Sequence, residues 1–173
     1  MEQVILVDHN DNPIGLEEKL KAHQNGGKLH RAFSIFIFNS KGETMLQQRA
    51  LSKYHGGGLW TNTVCSHPRV QESILQAAHR RLKEEMGFDC EMNEVFAFEY
   101  EAEMDKELTE HEYDHVLFGN YDGEPNPNKD EANAWKWMSL ESLNSEIKKN
   151  PDLYTPWLKI AINNVMKHRK GQK

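Results

Sequence analysis

Residues 72–88 read ESILQAAHRRLKEEMGF, and this stretch predicts a helix. Its apolar side chains recur at i, i+4 and i+8, at Ile74, Ala78 and Leu82. We therefore expect an amphipathic helix over residues 74–86, with Gly87 as its C-terminal cap. Glu85 falls on the apolar stripe, where a carboxylate is costly unless it is paired or bound to a metal.

The run WTNTVCSHP at residues 60–68 predicts a short extended segment just before that helix. Side chains at i and i+2 of an extended backbone point to the same face, so Cys65 and His67 share one side. Pro68 then ends the run. A thiol beside an imidazole indicates a site that combines acid–base chemistry with a potential metal ligand.

Apolar, β-branched and aromatic segments predict the remaining strands, at residues 4–7, 29–38, 43–49, 90–100, 110–121 and 134–138. Further helices are predicted at residues 16–25, 140–149 and 156–169. The Gly-rich residues 50–58 and the charged residues 101–109 predict loops. On the strand at 110–121, Glu110 and Glu112 share one face.

The composition fits one globular domain over residues 1–173, with a frayed tail at about 170–173. Hydrophobic side chains make up 38% and charged ones 28% of the chain, and no apolar run approaches the roughly 20 residues of a membrane helix. The first residues lack the basic start of a secretory signal. Two cysteines provide no disulfide framework, so we expect a cytoplasmic protein.

The formal net charge of −6 disfavours nucleic-acid and membrane partners. It still allows a small phosphorylated substrate, which needs only a local group of cations. Four basic residues form such a candidate set: Lys19, Arg49, Lys53 and Arg81. Converging cations bind phosphate oxygens, although each one alone is more often a solvated surface residue.

Five residues form a candidate metal-binding set: His23, His30, His67, Glu110 and Glu112. Histidine with carboxylate suits Mn²⁺, Zn²⁺ or Fe²⁺, whereas an all-oxygen set suits Mg²⁺. A single histidine is more often structural or exposed, so the hypothesis depends on the set. The other six have no comparable setting, and we expect them to be solvent-exposed or structural: His9, His55, His79, His111, His115 and His168.

Aromatic side chains complete the candidates, at Trp60, Tyr100 and Trp157. Tryptophans more often pack in a core or at its rim. The face of an indole ring can also stabilise a carbocation.

The helix and its flanks resemble the Nudix box. Seven residues match that pattern: Glu72, Arg80, Leu82, Glu84, Glu85, Gly87 and Phe88. Acids at the end of such a helix hold a divalent cation, which in turn holds a diphosphate. Ser66 departs from the pattern by replacing its first glycine, and Arg81 by replacing a glutamate. The alternative is a surface helix stabilised by i, i+4 salt bridges, Arg80–Glu84 and Arg81–Glu85.

Beyond the box, the chain resembles the type I isopentenyl-diphosphate isomerases of the Nudix superfamily. The matching segments are KAH at 21–23, LHRAFS at 29–34, RALSK at 49–53, WTNTVCSHP at 60–68, EHE at 110–112 and YTPW at 154–157. The resemblance implies an α+β fold, an α–β–α sandwich around a mixed sheet. It also implies an enzyme that interconverts isopentenyl diphosphate and dimethylallyl diphosphate.

The same resemblance implies residue roles. One divalent metal, Mn²⁺ or Zn²⁺, is bound by His23, His30, His67, Glu110 and Glu112. Mg²⁺ on the diphosphate is held by Glu85 and the carbonyl of Cys65. Cys65 and Glu112 are the catalytic acid–base pair. Tyr100 assists Glu112, and Trp157 faces the cationic carbon. The diphosphate contacts Lys19, Arg49, Lys53 and Arg81.

The chemistry needs no flavin or nicotinamide, because no electrons are transferred, and the sequence has no dinucleotide fingerprint. Two alternatives stay open. A Nudix pyrophosphohydrolase acting on a nucleoside diphosphate derivative would share the box without requiring Cys65, and Arg81 counts against it. A metal-binding or partner-binding module would bind metal without turnover. We expect a monomer or weak dimer with a small-molecule diphosphate substrate.

Overall fold

The computed structural model describes residues 1–172 and has a nine-stranded mixed sheet as its scaffold. Its strands are β1 (Gln3–Val7), β2 (Pro13–Glu18), β3 (His30–Phe38), β4 (Glu43–Arg49), β5 (Trp60–Thr61), β6 (Val64–Ser66), β7 (Met92–Glu103), β8 (Thr109–Asn120) and β9 (Ala132–Ser139). The helices are α1 (Lys19–Ala22), α2 (Ile74–Met86), α3 (Leu140–Lys149) and α4 (Pro156–Gly171), with a 3₁₀ turn at Pro151–Leu153.

Strand β3 is central and sets the register of the strands that carry the sequence motifs. It pairs in parallel with β8, which places His30 beside Glu112. Its other edge pairs antiparallel with β6, which places Ser34 opposite Cys65. Three motifs that are far apart in the sequence therefore meet on neighbouring strands.

The two faces of β3 are covered by different helices. Phe33, Ile35 and Ile37 pack on one face against α2, while Phe36 and Phe38 pack on the other against α3 and α4. The alternation follows from the two-residue period of a strand. Helices on both faces of a mixed sheet confirm the expected α–β–α sandwich.

The helix predicted at residues 16–25 is wrong. Residues up to Glu18 form strand β2, and only the single turn α1 is helical. The reason is tertiary, because β2 pairs with β1 along its length, with Leu16 opposite Ile5. Leu16 and Ile14 stay exposed on this edge strand, so their apolar character does not report a buried helix face.

Two further predictions need correction at their ends. The segment predicted as a loop at 101–109 is shorter, because β7 continues to Glu103 and β8 begins at Thr109 as a hairpin. The last helix runs to Gly171, two residues beyond its predicted end at Arg169. Lys173, the end of the predicted tail, lies outside the described residues.

Helix α2 begins and ends as its sequence dictates. Ser73 and Gln76 form a reciprocal capping box at its start. Gly87 ends it in the left-handed conformation, with φ of 72°. A Cβ at this position would lie 2.4 Å from the carbonyl oxygen of Asn126, so a glycine is required for space as well as for conformation.

We predict that Gly87→Ala destabilises the protein more than Gly42→Ala. Both positions have positive φ, but a Cβ at Gly42 meets nothing within 4 Å. The left-handed conformation costs about 1–2 kcal/mol at either site, and the overlap with Asn126 adds roughly 1–3 kcal/mol. Urea unfolding of both variants measures the difference. Equal losses of unfolding free energy would contradict the steric argument.

Candidate active site and metal centre

Five buried side chains converge where β3 and β8 lie beside the segment after β6. They are the predicted ligands His23, His30, His67, Glu110 and Glu112, and one ligand atom from each lies within 4.8 Å of all the others. Ligands on opposite sides of a metal ion are separated by two bond lengths, roughly 4–5 Å. The cluster therefore has the dimensions of one metal site.

The imidazoles are oriented from outside the cluster. Nδ1 of His23 lies 2.6 Å from the carbonyl oxygen of Lys19, and Nδ1 of His30 lies 2.7 Å from that of Lys28. A carbonyl accepts only, so each Nδ1 carries a proton, and Nε2 of the neutral ring is the atom that can offer a lone pair to a metal ion. Nε2 of His30 and Nε2 of His67 are 3.2 Å apart. Burial lowers the pKa of His67 to about 4, which keeps it neutral as a ligand must be.

The carboxylates complete a set that fits a divalent cation. Glu112 places Oε1 at 3.0 Å from Nε2 of His67, and its Oε2 accepts a hydrogen bond of 2.7 Å from the Tyr100 hydroxyl. Glu110 places Oε2 at 3.0 Å from Nε2 of His23. Burial alone would raise the pKa of Glu110, but the neighbouring histidines outweigh it and hold that pKa well below its usual range.

Cys65 lies across the sheet from Ser34, and its surroundings favour the neutral thiol. Its Sγ donates to Oδ1 of Asn62 at 3.1 Å. Burial raises the pKa of the thiol, and the nearby Asp114 raises it further. At neutral pH Cys65 therefore carries a proton.

One cavity unites most of the predicted residues. Its walls include the candidate metal ligands His67, Glu110 and Glu112, the polar Cys65 and Tyr100, Trp157, and all four predicted cations Lys19, Arg49, Lys53 and Arg81. Arg49 lies 5.2 Å from the ring centre of Trp157. The indole nitrogen of Trp157 donates to Thr61 Oγ1 at 2.9 Å, which fixes the ring against the cavity.

Three of the four cavity cations already have acidic partners. Lys19 lies 3.2 Å from Glu2. Lys53 pairs with Glu131, and Arg81 contacts the same carboxylate at 3.2 Å. Glu131 thus pairs with two of the cavity cations.

Glu85 is buried on the inner side of α2, where its place on the apolar stripe puts it. Its Oε1 lies 2.5 Å from Arg81, and its Oε2 accepts from Gln47 at 2.9 Å. The Arg80–Glu84 pair also forms, at 3.4 Å. Within residues 1–172, Glu85 joins no cluster of three or more candidate metal ligands, so its binding of Mg²⁺ with the Cys65 carbonyl stays a prediction.

Two residues of the site were not found from the sequence. His55 was expected to be exposed or structural, yet it is buried, lines the cavity and lies 2.7 Å from Glu110. Asp114 is buried and accepts a 2.7 Å hydrogen bond from Ser34. The two-residue period that relates Glu110 to Glu112 extends to Asp114. The sequence pattern could therefore have placed Asp114 on the same face of the strand. His55 lies in a loop that offers no such period.

Comparisons with known proteins show the family of this chain. The NUDIX domain family matches residues 28–158. Isopentenyl-diphosphate Delta-isomerase 2 of Aromatoleum aromaticum is 52% identical over 168 residues, which are 97% of this chain and 88% of that protein. Isopentenyl-diphosphate Delta-isomerase 2 of Photorhabdus laumondii is 53% identical over 162 residues, 94% of this chain and 91% of that one. This chain belongs to the isopentenyl-diphosphate Delta-isomerases of the NUDIX family.

Solved structures support the fold of this isopentenyl-diphosphate Delta-isomerase family member. A protein from Deinococcus radiodurans aligns with a TM-score of 0.79 at 17% identity, covering 94% of this chain and 98% of its own. The MutT protein of Methanosarcina mazei aligns with a TM-score of 0.67 at 17% identity, covering 84% and 96%. Within residues 1–172, no helix combines the length and hydropathy that a bilayer crossing requires.

We predict that this isopentenyl-diphosphate Delta-isomerase family member retains about one Mn²⁺ or Zn²⁺ per chain after gel filtration, as one five-residue cluster implies. Glu110→Gln should reduce the retained metal strongly, because it removes an anionic ligand. His79→Gln is the control, since His79 pairs with Asp89 on the surface. Elemental analysis measures both, and full retention of metal by Glu110→Gln would contradict the assignment.

Proposed function

We propose that this chain interconverts isopentenyl diphosphate and dimethylallyl diphosphate. The observation that carries the proposal is one cavity that contains a thiol, a carboxylate and four cations. The names of relatives about 50% identical over nearly the whole chain support the same reaction. The cations would hold the diphosphate, and the thiol and carboxylate would act on the carbon chain.

The isomerisation needs two proton transfers on the same substrate. One of Cys65 and Glu112 gives a proton to the terminal alkene carbon, which leaves a tertiary carbocation. The other takes a proton from the carbon on the far side of the cationic centre, and the double bond forms there. No atom is gained or lost, and the two residues exchange roles in the reverse direction.

The surrounding residues prepare both groups. Tyr100 donates to Glu112 and thereby orients its carboxylate. Trp157, fixed by its hydrogen bond to Thr61, presents a π face that stabilises the carbocation. The diphosphate is held by the cavity cations Lys19, Arg49, Lys53 and Arg81.

We propose Mn²⁺ or Zn²⁺ as the ion of the His/Glu cluster, because histidine with carboxylate suits these metals. Glu85 and the Cys65 carbonyl would hold Mg²⁺ together with the diphosphate. When bound, the divalent ions supply positive charge that fixes the carboxylates and neutralises phosphate oxygens. Proton transfer alone requires neither flavin nor nicotinamide.

We further propose that the chain works as a single domain, as a monomer or weak dimer, in the cytoplasm. Two free cysteines support a reducing compartment.

We predict that Cys65→Ala and Glu112→Gln each lower the isomerisation rate by a factor on the order of 10²–10⁴, the usual contribution of a positioned acid or base. The assay incubates purified protein with isopentenyl diphosphate and Mg²⁺ and measures dimethylallyl diphosphate. Cys90→Ala is the matched control, because Cys90 packs against the cluster on the α2 side of the sheet and should leave the rate unchanged.

Activity measurements distinguish the isomerase from the alternative functions. Wild-type protein that holds metal but forms no dimethylallyl product refutes the isomerase. Phosphate release from nucleoside diphosphate derivatives instead supports a pyrophosphohydrolase. A wild-type rate in either site variant removes that residue from the acid–base pair.

We predict that Lys53→Gln weakens inhibition by inorganic pyrophosphate, because the cavity loses one of its four cations. Lys83→Gln is the control, since Lys83 is an exposed residue of α2 that pairs with Asp89. Inhibition constants measured at fixed ionic strength compare the two variants. Equal inhibition constants would show that Lys53 makes no contact with the diphosphate group.

A further inference from the structure

His55 is a buried histidine that belongs neither to the five-residue cluster nor to the acid–base pair. It is 2% exposed, and its Nε2 lies 2.7 Å from Oε1 of Glu110. The other oxygen of that carboxylate, Oε2, lies 3.0 Å from Nε2 of His23. Glu110 is thus held between two imidazoles, with one oxygen toward the cluster and one toward His55.

The contact with Glu110 is the only close polar contact open to the His55 ring within the described part of the chain. Neither ring nitrogen has a hydrogen-bond partner with standard hydrogen-bond angles there. The 2.7 Å separation of Nε2 from the carboxylate is nonetheless within hydrogen-bond distance, so a small rotation of the ring aligns the donor. Because a carboxylate accepts only, Nε2 of His55 carries the proton in this contact.

The ring is held in place by its neighbours. It packs edge-on against Tyr54 with ring centres 4.3 Å apart and against Trp157 at 6.1 Å. The His55 carbonyl accepts a 3.0 Å hydrogen bond from Arg49. The imidazole therefore contacts Glu110 from outside the cluster and is fixed to the cavity wall.

We propose that His55 is a positioning residue of the metal centre, which holds Glu110 so that its other oxygen faces the ion. The inference rests on the proposed function only in that Glu110 is a metal ligand. Hydrogen-bond partners that orient metal ligands are worth about 10–100-fold in metal affinity. His55 also links the metal centre to Trp157 and Arg49 on the substrate side.

The experiment measures Mn²⁺ affinity by competition with a chelator, independently of catalysis. His55→Phe keeps an aromatic ring and removes the donor, whereas His55→Gln keeps a donor and removes the ring. We expect His55→Phe to weaken Mn²⁺ binding by about 10–100-fold and His55→Gln to bind Mn²⁺ as the wild type does. His79→Phe, at an exposed histidine, should change nothing.

A double-mutant cycle tests whether His55 changes Mn²⁺ affinity through Glu110. If His55 acts through Glu110, His55→Phe adds no further loss in the Glu110→Gln background. Unchanged affinity in His55→Phe, equal loss in both His55 variants, or additive losses with Glu110→Gln would each overturn the proposal. Wild-type protein that binds Mn²⁺ but does not isomerise refutes the proposed function and leaves the role of His55 standing.

Discussion

Three carboxyl groups are buried on the same face of β8, and the candidate metal cluster is built around two of them, Glu110 and Glu112. Glu110 and Glu112 are nearly inaccessible to water, and buried like charges are unfavourable unless compensated. The imidazoles that surround them compensate only in part, because burial keeps His67 neutral. A divalent cation among the five side chains would supply the missing charge. The charge balance of the cluster is therefore a physical reason for it to bind metal.

The polar side chains of the site are positioned by apolar packing on both faces of β3. Phe33, Ile35 and Ile37 are fully buried against α2, so β3 cannot slip by one residue without turning them to the opposite side. With β3 fixed, its pairing places His30 beside Glu112 and the β6 thiol opposite Ser34. Hydrophobic packing against α2 thus fixes the strand register, and the strand register fixes the positions of the site side chains.

The features that the sequence predicted correctly are those with local causes. Helix α2 has a stripe of buried apolar side chains and a C-terminal cap at Gly87. Its first and last residues match the prediction. The predicted helix at residues 16–25 failed because pairing with β1 overrode a weak local pattern. Convergence of the five candidate ligands from three distant segments has no local signal, so residue types could only nominate the set, and the family resemblance implied that its members meet at one metal. The family resemblance did not indicate His55, which lies in a loop whose path is set by tertiary contacts.

Arg81 places a cation on α2 where the Nudix pattern has a glutamate. A glutamate at this position would face Glu84 and Glu85 on the next turn, and three carboxylates together would require a cation for stability. Arg81 instead lies within 2.7 Å of both carboxylates and compensates the buried charge of Glu85 by itself. Arg81 and Lys53 both line the cavity. Both also pair with the carboxylate of Glu131. The helix thereby contributes a cation to the cavity wall beside the buried carboxylate of Glu85.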